Sequence, residues 1–433
     1  LVIASISGIR GIYNYDLHPY DIARFTRNFV YIVNPRSILI ARDTRVTGEI
    51  ISKIVSSALL REGVDVVDYG CISTPALFRE SRLKEIPAIM ITASHNEQEW
   101  NGLKFVMNGR GVYQEELTKI LEIRKYQVKE IDSGKLRRVE RFSYNDELVA
   151  KDGEGTCQGV KVVLDLNGGA AIKHAPAILR RLGCKVLTLG DAPGLFNRRI
   201  DPTSDSLELL GKTVRKNTAD IGLAFDCDGD RLVIVDNEGK KRSGDYMLTL
   251  ALKQILERSA ANIVVSVDTT QAVDDQVREI GGNVFRSKVG ESNVLRTMIE
   301  NDVILGGEGS SGGLIDASFN NCRDSMIAAI NIIKLIKERG VKVYDQIKSY
   351  YQVRVVIDLP RSKAIKAIKR LQKEYPDADK LDGVKIRLSE KSWVLVRASE
   401  TENIVRVSAE SSSLKESEEL AQSFLRRIKR LSA

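Results

Sequence analysis

The sequence predicts an α/β protein: three related α/β units and a C-terminal α+β domain, with the functional loops gathered around a central cleft. Three observations carry this reading. Strand-like and helix-like stretches alternate along most of the chain, the pattern of βαβ units. One local plan occurs three times, and the stretch after about residue 350 departs from it with consecutive strands. At 433 residues the chain also exceeds one ordinary core, and its length alone suggests roughly three domains.

The first unit runs ILIARD (38–43), a helix-like span, REG (61–63) and VDVVDYG (64–70). The second runs KVVLDLNGG (161–169), APAILRRLG (175–183) and CKVLTLG (184–190), and the third NIVVSVDTT (262–270), AVDDQVREIGG (272–282) and NVFRSKVG (283–290). Each joins a short apolar strand with Asp near its end, an amphipathic helix, a glycine able to close that helix, and a second strand ending in Gly. A further apolar strand follows each unit and stops in an unusual loop: PAIMITASHN (87–96), ADIGLAFDCDGDR (219–231) and DVILGGEGSSGG (302–313). Ligands gather at the carboxyl ends of strands in open α/β sheets, so three equivalent strand ends predict one shared cleft.

Beyond the units, YYQVRVVIDL (350–359), a helical span near 362–374, GVKIRL, SWVLVRAS, NIVRVSAES and a final helix from about 414 read as an α+β domain. The polar segment 127–160, with DSGKLRR and KDGEG, is expected either to link domains or to hold a β-hairpin.

Composition narrows the function classes. Hydrophobic residues make up 43% and charged residues 29% of the chain, the profile of a globular protein. No apolar run reaches the ~18 residues a membrane span needs, and LVIASISGIRG lacks the marks of a secretory signal; the expectation is a cytoplasmic protein without a membrane partner. Five scattered cysteines without a C-x-x-C pair, and only three histidines, argue against a disulfide framework, a structural zinc site or a histidine-rich metal centre. The formal charge of +8 is spread along the chain with no aromatic-basic module, so no nucleic-acid partner is expected.

The strongest local signal is Asp226-Cys227-Asp228-Gly229-Asp230-Arg231. Three carboxylates at alternate positions of an extended segment point the same way and repel one another unless a cation sits between them. Their hard oxygens suit Mg²⁺. An EF-hand is excluded because its sixth position would be Arg231 and its twelfth Asn237. Ser94 has no G-x-S-x-G context. Its neighbour His95 is expected on the opposite side of an extended chain, so the two do not form a Ser-His couple. Read alone, Ser94 is a turn residue. On their own, Arg397, Ser399 and Thr401 after a strand form either a common Ser/Thr-rich turn or a phosphate cradle. The glycine-rich loop of Glu308 is either a simple turn or one whose carboxylate could accept from vicinal sugar hydroxyls.

Taken in order, these loops resemble the α-D-phosphohexomutase family of phosphomannomutases, phosphoglucomutases and phosphoglucosamine mutases, over almost the whole chain. The family's early GIRG matches Gly8 to Gly11, its T-A-S-H-N-P loop and following N-G-x-K match Thr92 to Asn96 and Asn101 to Lys104. Its D-x-D-x-D-R loop matches Asp226 to Arg231, its G-E-x-S-G loop the region from Gly307, and its R-x-S-x-T-E-P loop Arg397 to Glu402.

The resemblance implies three α/β domains with mixed sheets and a distinct fourth: 1–138 with the phosphoserine loop, 139–236 with the metal loop, 237–345 with the sugar loop, and 346–433 binding phosphate. It implies an intramolecular phosphotransferase that interconverts hexose 1-phosphate and hexose 6-phosphate through a phosphoserine at Ser94 and a bisphosphorylated sugar. One Mg²⁺ per site would be held by Asp226, Asp228, Asp230 and the phosphoserine, and hexose 1,6-bisphosphate would serve as activator. Arg10, Lys104 and Arg231 would stabilise the transferring charge, with Lys104 or His95 moving the proton. Arg397, Ser399 and Thr401 would hold the other phosphate of the phosphorylated hexose, and Glu308 with Ser310 or Ser311 its hydroxyls.

This chain departs from the family's pattern at several places, one extra serine in the sugar loop among them. Glu97 replaces the usual Pro, Gly312 or Gly313 stands where many relatives carry His, and Glu400 and Asn403 replace Gly and Pro. The histidine-free sugar loop suggests dual mannose and glucose phosphate activity, with phosphoglucosamine mutase as the alternative. A Mg²⁺-dependent sugar-phosphate phosphatase is the lesser rival, since D-x-D-x-T/V is not met, and a sugar-phosphate-binding protein without catalysis ranks last.

Overall fold

The computed structural model describes residues 2–122, 133–258, 262–348, 350–399 and 403–432. Its strands form four sheets, and three of them repeat one order. In the second sheet, Lys185–Leu189, Lys161–Asp165 and Ile221–Phe225 run parallel and Leu232–Asp236 returns antiparallel. The third sheet sets Val284–Ser287, Ile263–Ser266, Leu305–Glu308 and Gly313–Asp316 in the same relation. In the first, Asp65–Cys71, Ser37–Arg42 and Ala88–Ile91 are parallel and Trp100–Met107 antiparallel. Gly8–Ile12 and Ile3–Ser5 extend that sheet on one side, Leu136–Arg138 on the other, and Arg110–Gly111 pairs with Trp100–Met107.

The sheets are therefore mixed, and the reason lies in loop length. A parallel return needs a crossover of a dozen or more residues, whereas a short loop can only bring the chain back antiparallel. The segments after Ile91, Phe225 and Glu308 are all short. Each functional loop is thus the tip of a hairpin at the carboxyl end of a fully buried strand, AIMI, IGLAF or LGGE.

One apolar core runs continuously through the first three sheets, from Phe78 and Met90 through Leu164 and Phe225 to Leu248 and Ile330. Its centre is the pair of helices Gly244–Leu256 and Ser325–Arg339, whose nearly all-apolar faces read as interior helices. The fourth sheet, Tyr351–Asp358, Ile404–Ser411, Ser392–Ala398 and Val384–Ser389, is antiparallel throughout. Helices Arg361–Glu374 and Leu414–Ser432 cover one face of it. It meets the third sheet through a small cluster of Val267, Trp393 and Leu395.

The described part of the polar segment holds no β-hairpin. It forms the strand Leu136–Arg138, parallel to Asp65–Cys71, and the helix Tyr144–Asp152. Tyr144 and Leu148 are fully buried, so a sequence that reads as a linker is anchored by one apolar helical face.

Candidate active site

Ser94 is fully buried and takes a left-handed backbone, φ 52°. The turn is held from outside. Asp43 accepts the Thr92 hydroxyl at 2.6 Å and the Arg45 amide at 2.9 Å, and Thr92 Oγ1 in turn accepts the Ser94 amide at 2.8 Å. The wholly buried Arg45 guanidinium donates to the carbonyls of Ser94, Asn96 and Trp100 at 2.5 to 2.9 Å. Glu97 is exposed, and its carbonyl closes a turn by accepting the Trp100 amide at 3.1 Å. Arg45 thus holds the loop on both sides of Glu97.

The left-handed turn also overturns the expected separation of Ser94 and His95. The chain is not extended there, and His95 Nδ1 lies 3.4 Å from Ser94 Oγ. Burial, then Arg231 and Arg10, hold the imidazole well below its ordinary pKa of 6.5, so it is neutral. Its Nε2 is 3.4 Å from Arg231 Nη2. Arg10 donates to Asn96 Oδ1 at 2.8 Å, and burial followed by Arg231 pushes its pKa down to about 10.

The three aspartates do converge, although not along an extended segment. Asp226 to Arg231 form a turn in which Gly229 adopts φ +72°, a conformation that favours glycine. Asp226 Oδ1 accepts the amides of Asp230 and Arg231 at 3.1 and 3.2 Å, closing the turn, while Oδ2 accepts the Ser94 hydroxyl at 3.1 Å. Asp228 Oδ2 accepts from Thr74 Oγ1 at 2.5 Å and Lys104 at 2.8 Å; Asp230 Oδ2 accepts from Lys104 and Arg323, both at 2.9 Å. Asp228 Oδ1 and Asp230 Oδ1 are buried without a hydrogen-bond partner.

One oxygen from each aspartate lies within 4.8 Å of the others. Two unpartnered carboxylate oxygens beside a third carboxylate fit a hard, oxygen-seeking cation such as Mg²⁺. The charges are crowded: burial, then Asp228 and Asp230, raise the Asp226 pKa well above the ordinary carboxylate range. Burial works against ionisation of Asp230 too, but Arg323, Lys104 and Arg231 outweigh it and hold that carboxyl far below the ordinary range. Lys104 is likewise buried, yet Asp228 and Asp230 keep its ammonium firmly charged.

A cleft of about 360 Å³ opens beside this cluster, lined by His95, Arg231, Glu308, Ser310, Ser311, Arg323 and side chains of the fourth sheet. Glu308 accepts from the Gly290 amide at 2.6 Å and from Arg323 Nη1 at 3.1 Å. The two serines differ: Ser311 Oγ accepts from Arg323 at 3.0 Å, whereas Ser310 bonds to Asp268. Arg397 pairs across strands with Arg406, and Arg354 with Ser408. The two-residue period places all four on one face of the sheet, and that face lines the cleft. Ser399 is buried, and its amide donates to the Ile404 carbonyl. Thr401 and Glu400 lie outside the described residues.

Of the described residues expected at the site, Arg10, Ser94, His95, Lys104, Asp226, Asp228, Asp230 and Arg231 form one cluster, and Glu308, Ser310 and Arg397 line the cleft beside it. Arg45, Thr74, Arg323, Arg354 and Arg406 join them without having been singled out. A buried serine bonded to one of three converging aspartates, beside a cleft lined by arginines, is the arrangement expected of the phosphohexose mutase class.

Four domain models of one family match the chain. The models of phosphoglucomutase/phosphomannomutase α/β/α domains I, II and III match residues 3–130, 143–239 and 243–353, and that of the C-terminal domain matches 355–427. A protein named probable phosphoglucosamine mutase from Methanosphaera stadtmanae is 34% identical, with 98% of each chain covered. A phosphoglucomutase/phosphomannomutase from Thermococcus kodakarensis is 31% identical over 96% of this chain and 95% of its own. The crystal structure of a phosphoglucomutase/phosphomannomutase family protein from Burkholderia thailandensis shares the fold, with a TM-score of 0.85 at 24% identity, covering 98% of this chain and 96% of that one. The chain belongs to the phosphoglucomutase/phosphomannomutase family, the α-D-phosphohexomutases, and is an enzyme of that family. The family is generally Mg²⁺-dependent, and the aspartate triad that suits the ion is present. Among the described residues, no helix is long and apolar enough to cross a membrane.

Proposed function

We propose that the protein interconverts hexosamine or hexose 1-phosphate and the corresponding 6-phosphate by passing a phosphoryl group through Ser94. The observation that carries this reading is the hydrogen bond from Ser94 to Asp226, inside the carboxylate cluster and at the edge of the cleft. Glucosamine phosphate is the substrate put first, because full-length relatives bearing the phosphoglucosamine mutase name match most of the chain. Mannose and glucose phosphates form the second reading, favoured by the Thermococcus kodakarensis relative.

Asp226, Asp228 and Asp230, with an oxygen of phosphorylated Ser94, would hold one Mg²⁺, which when bound neutralises charge on the transferring phosphoryl group. The remaining work falls to side chains. Phosphorylated Ser94 donates its phosphoryl group to a sugar hydroxyl: the new O–P bond forms as the serine Oγ–P bond breaks. His95, beside Ser94, takes the hydroxyl proton. Burial, Arg231 and Arg10 otherwise keep the ring neutral, and the negative phosphoryl group carried by Ser94 offsets the two arginines. Lys104, by contrast, is already protonated and engaged by two aspartates. Arg10, Lys104 and Arg231 face the charge that develops. Arg397, Ser399 and Thr401 receive the phosphate at the other end, and Glu308 with Ser310 orients the hydroxyls. The bisphosphorylated sugar, which is also the activator, turns in the cleft, and Ser94 takes back the phosphoryl from the other carbon. The units carrying these parts are 1–138, 139–236, 237–345 and 346–433.

A coupled assay presenting glucosamine, mannose and glucose 1-phosphates with Mg²⁺ and a trace of bisphosphate tests the reading. Isomerised 6-phosphate is expected, fastest with glucosamine. Release of inorganic phosphate without isomerisation would instead establish a phosphatase.

A further inference from the structure

We infer that Arg323 is a positioning residue that couples the carboxylate cluster to the sugar-facing loop, and that Gly313 exists to let it through. The inference rests on the function proposed for those two loops. Arg323 is buried, at 6% exposure, and its single charge serves three carboxylates from three segments. Nη2 donates to Asp230 Oδ2 at 2.9 Å, and Nη1 donates to Glu308 Oε2 at 3.1 Å and Ser311 Oγ at 3.0 Å. Nε lies 3.2 Å from Glu291 Oε2, which also accepts the Arg323 amide at 2.9 Å.

The backbone behind this fork is fixed. Asp324 caps the helix Ser325–Arg339 by accepting the amides of Met326 and Ile327, and it also accepts the Tyr144 hydroxyl at 2.7 Å. Arg323 therefore reaches the cleft from a rigid helix start. By holding Asp230 Oδ2, it leaves Oδ1 as the oxygen that is free. By holding Glu308 Oε2, it sets the plane of the carboxylate whose other oxygen is bound by the Gly290 amide. A shift of the guanidinium moves both groups together.

Gly313 supplies the steric half of the arrangement. A Cβ added there would lie 2.2 Å from Arg323 Cδ and 2.6 Å from Cγ, so a side chain at this position and the arginine stem exclude one another. Of the two glycines that stand where many relatives carry histidine, Gly313 is the one against which Arg323 packs. The histidine-free loop is the space the arginine needs. A lysine would not substitute, because a point charge cannot span acceptors arranged for a planar fork of donors.

The test uses the full-length protein with Arg323→Met, which keeps the stem and removes the fork, and Gly313→Ala, which keeps every charge and displaces the stem. Mg²⁺ affinity is measured by titration calorimetry, and kcat and KM with the preferred 1-phosphate. Both variants are expected to bind Mg²⁺ at least about 10-fold more weakly, the usual cost of losing a group that orients metal ligands, and to raise KM at the same time. Arg323→Lys is expected to restore neither. Parent-like Mg²⁺ affinity and KM in the variants overturn the proposal, even if the melting temperature falls. If Arg323→Met does not fold, Gly313→Ala decides. The Mg²⁺ titration does not depend on turnover, so a parent chain that interconverts none of the three phosphates counts against the proposed function while the titration still judges Arg323.

Discussion

The Ser94 hydroxyl donates to Asp226 Oδ2 at 3.1 Å, joining residues 132 positions apart. Beyond His95 beside Ser94, the groups that surround this pair come from distant parts of the chain. Ser94 needs a charge arrangement that receives a phosphoryl group; Asp226 needs relief from two neighbouring carboxylates. The contact exists because two hairpin tips, from equivalent places in two related sheets, are turned toward one cleft.

That contact makes Ser94 the first residue to change. Ser94→Ala keeps the fold, since the turn is held by Asp43 and Arg45 rather than by the serine hydroxyl. Turnover is expected to fall by roughly 10⁴-fold or more, as for loss of a covalent nucleophile. Intact-mass analysis should find one phosphoryl group on the parent and none on the variant. A variant with parental turnover would sink the phosphoserine mechanism.

Arg45 makes a separate prediction. Arg45→Lys keeps a charge beside Asp43 but cannot reach three carbonyls at once. Misplacing the serine turn by about an ångström is expected to lower kcat by ~10²-fold. KM should change little, because Arg45 does not line the cleft. Arg45→Met goes further and leaves Asp43 buried and unpaired, with an expected loss of about 3–5 kcal/mol in stability. Steady-state kinetics and denaturant titration separate the two effects.

The sequence carried the three-fold plan and the strand ends because both are local patterns: apolar runs, glycines that close helices, and loops with odd chemistry. The fourth, antiparallel strand of each sheet also follows from short loops. Hidden from view was whatever depends on register or on distant segments. Arg397 and Arg406 face the cleft together only because their strands pair in that register, and Arg323 looks like a surface charge until its three carboxylates are in place. The rule of alternating sides fails at His95 because one left-handed residue, Ser94, breaks the extended chain. The helix Tyr144–Asp152 was missed because its polar positions outnumber the few apolar ones that bury it.

The carboxylate cluster predicts how the protein responds to its cation. In a chelated sample, Asp226, Asp228 and Asp230 repel one another in a buried site, and burial itself opposes ionisation of Asp226. Mg²⁺ at 100 times its dissociation constant should stabilise the fold by about 2.7 kcal/mol, and a thermal shift assay would show this as a rise of several degrees. Asp226→Asn is expected to melt above the chelated parent, because one repelling charge is gone, and to lose most of the Mg²⁺ response. A variant that melts below the chelated parent would contradict the charge argument.

His174 gives the fold an acid sensitivity that can be isolated. Its Nε2 accepts the Ser73 amide at 3.1 Å and its Nδ1 lies 2.8 Å from Asn145 Oδ1, so the neutral ring with the proton on Nδ1 satisfies both neighbours. Phe142 and Tyr144 pack against the ring edgewise. Burial, with a smaller contribution from Lys173, pushes the pKa from its ordinary 6.5 down to about 3. Between these values the unfolded chain binds a proton that the folded chain does not. Stability therefore rises with pH across that window, is fully present above 6.5, and is lost as pH falls toward 3, by up to about 5 kcal/mol. Ser73 sits beside Thr74, whose hydroxyl holds Asp228, so protonation of this ring also loosens the support of the carboxylate cluster. His174→Gln is expected to be less stable than the parent at pH 7.5 but to show a flatter decline of melting temperature between pH 6.5 and 4. Parallel pH profiles for the two proteins would show that His174 does not stay neutral in the folded state.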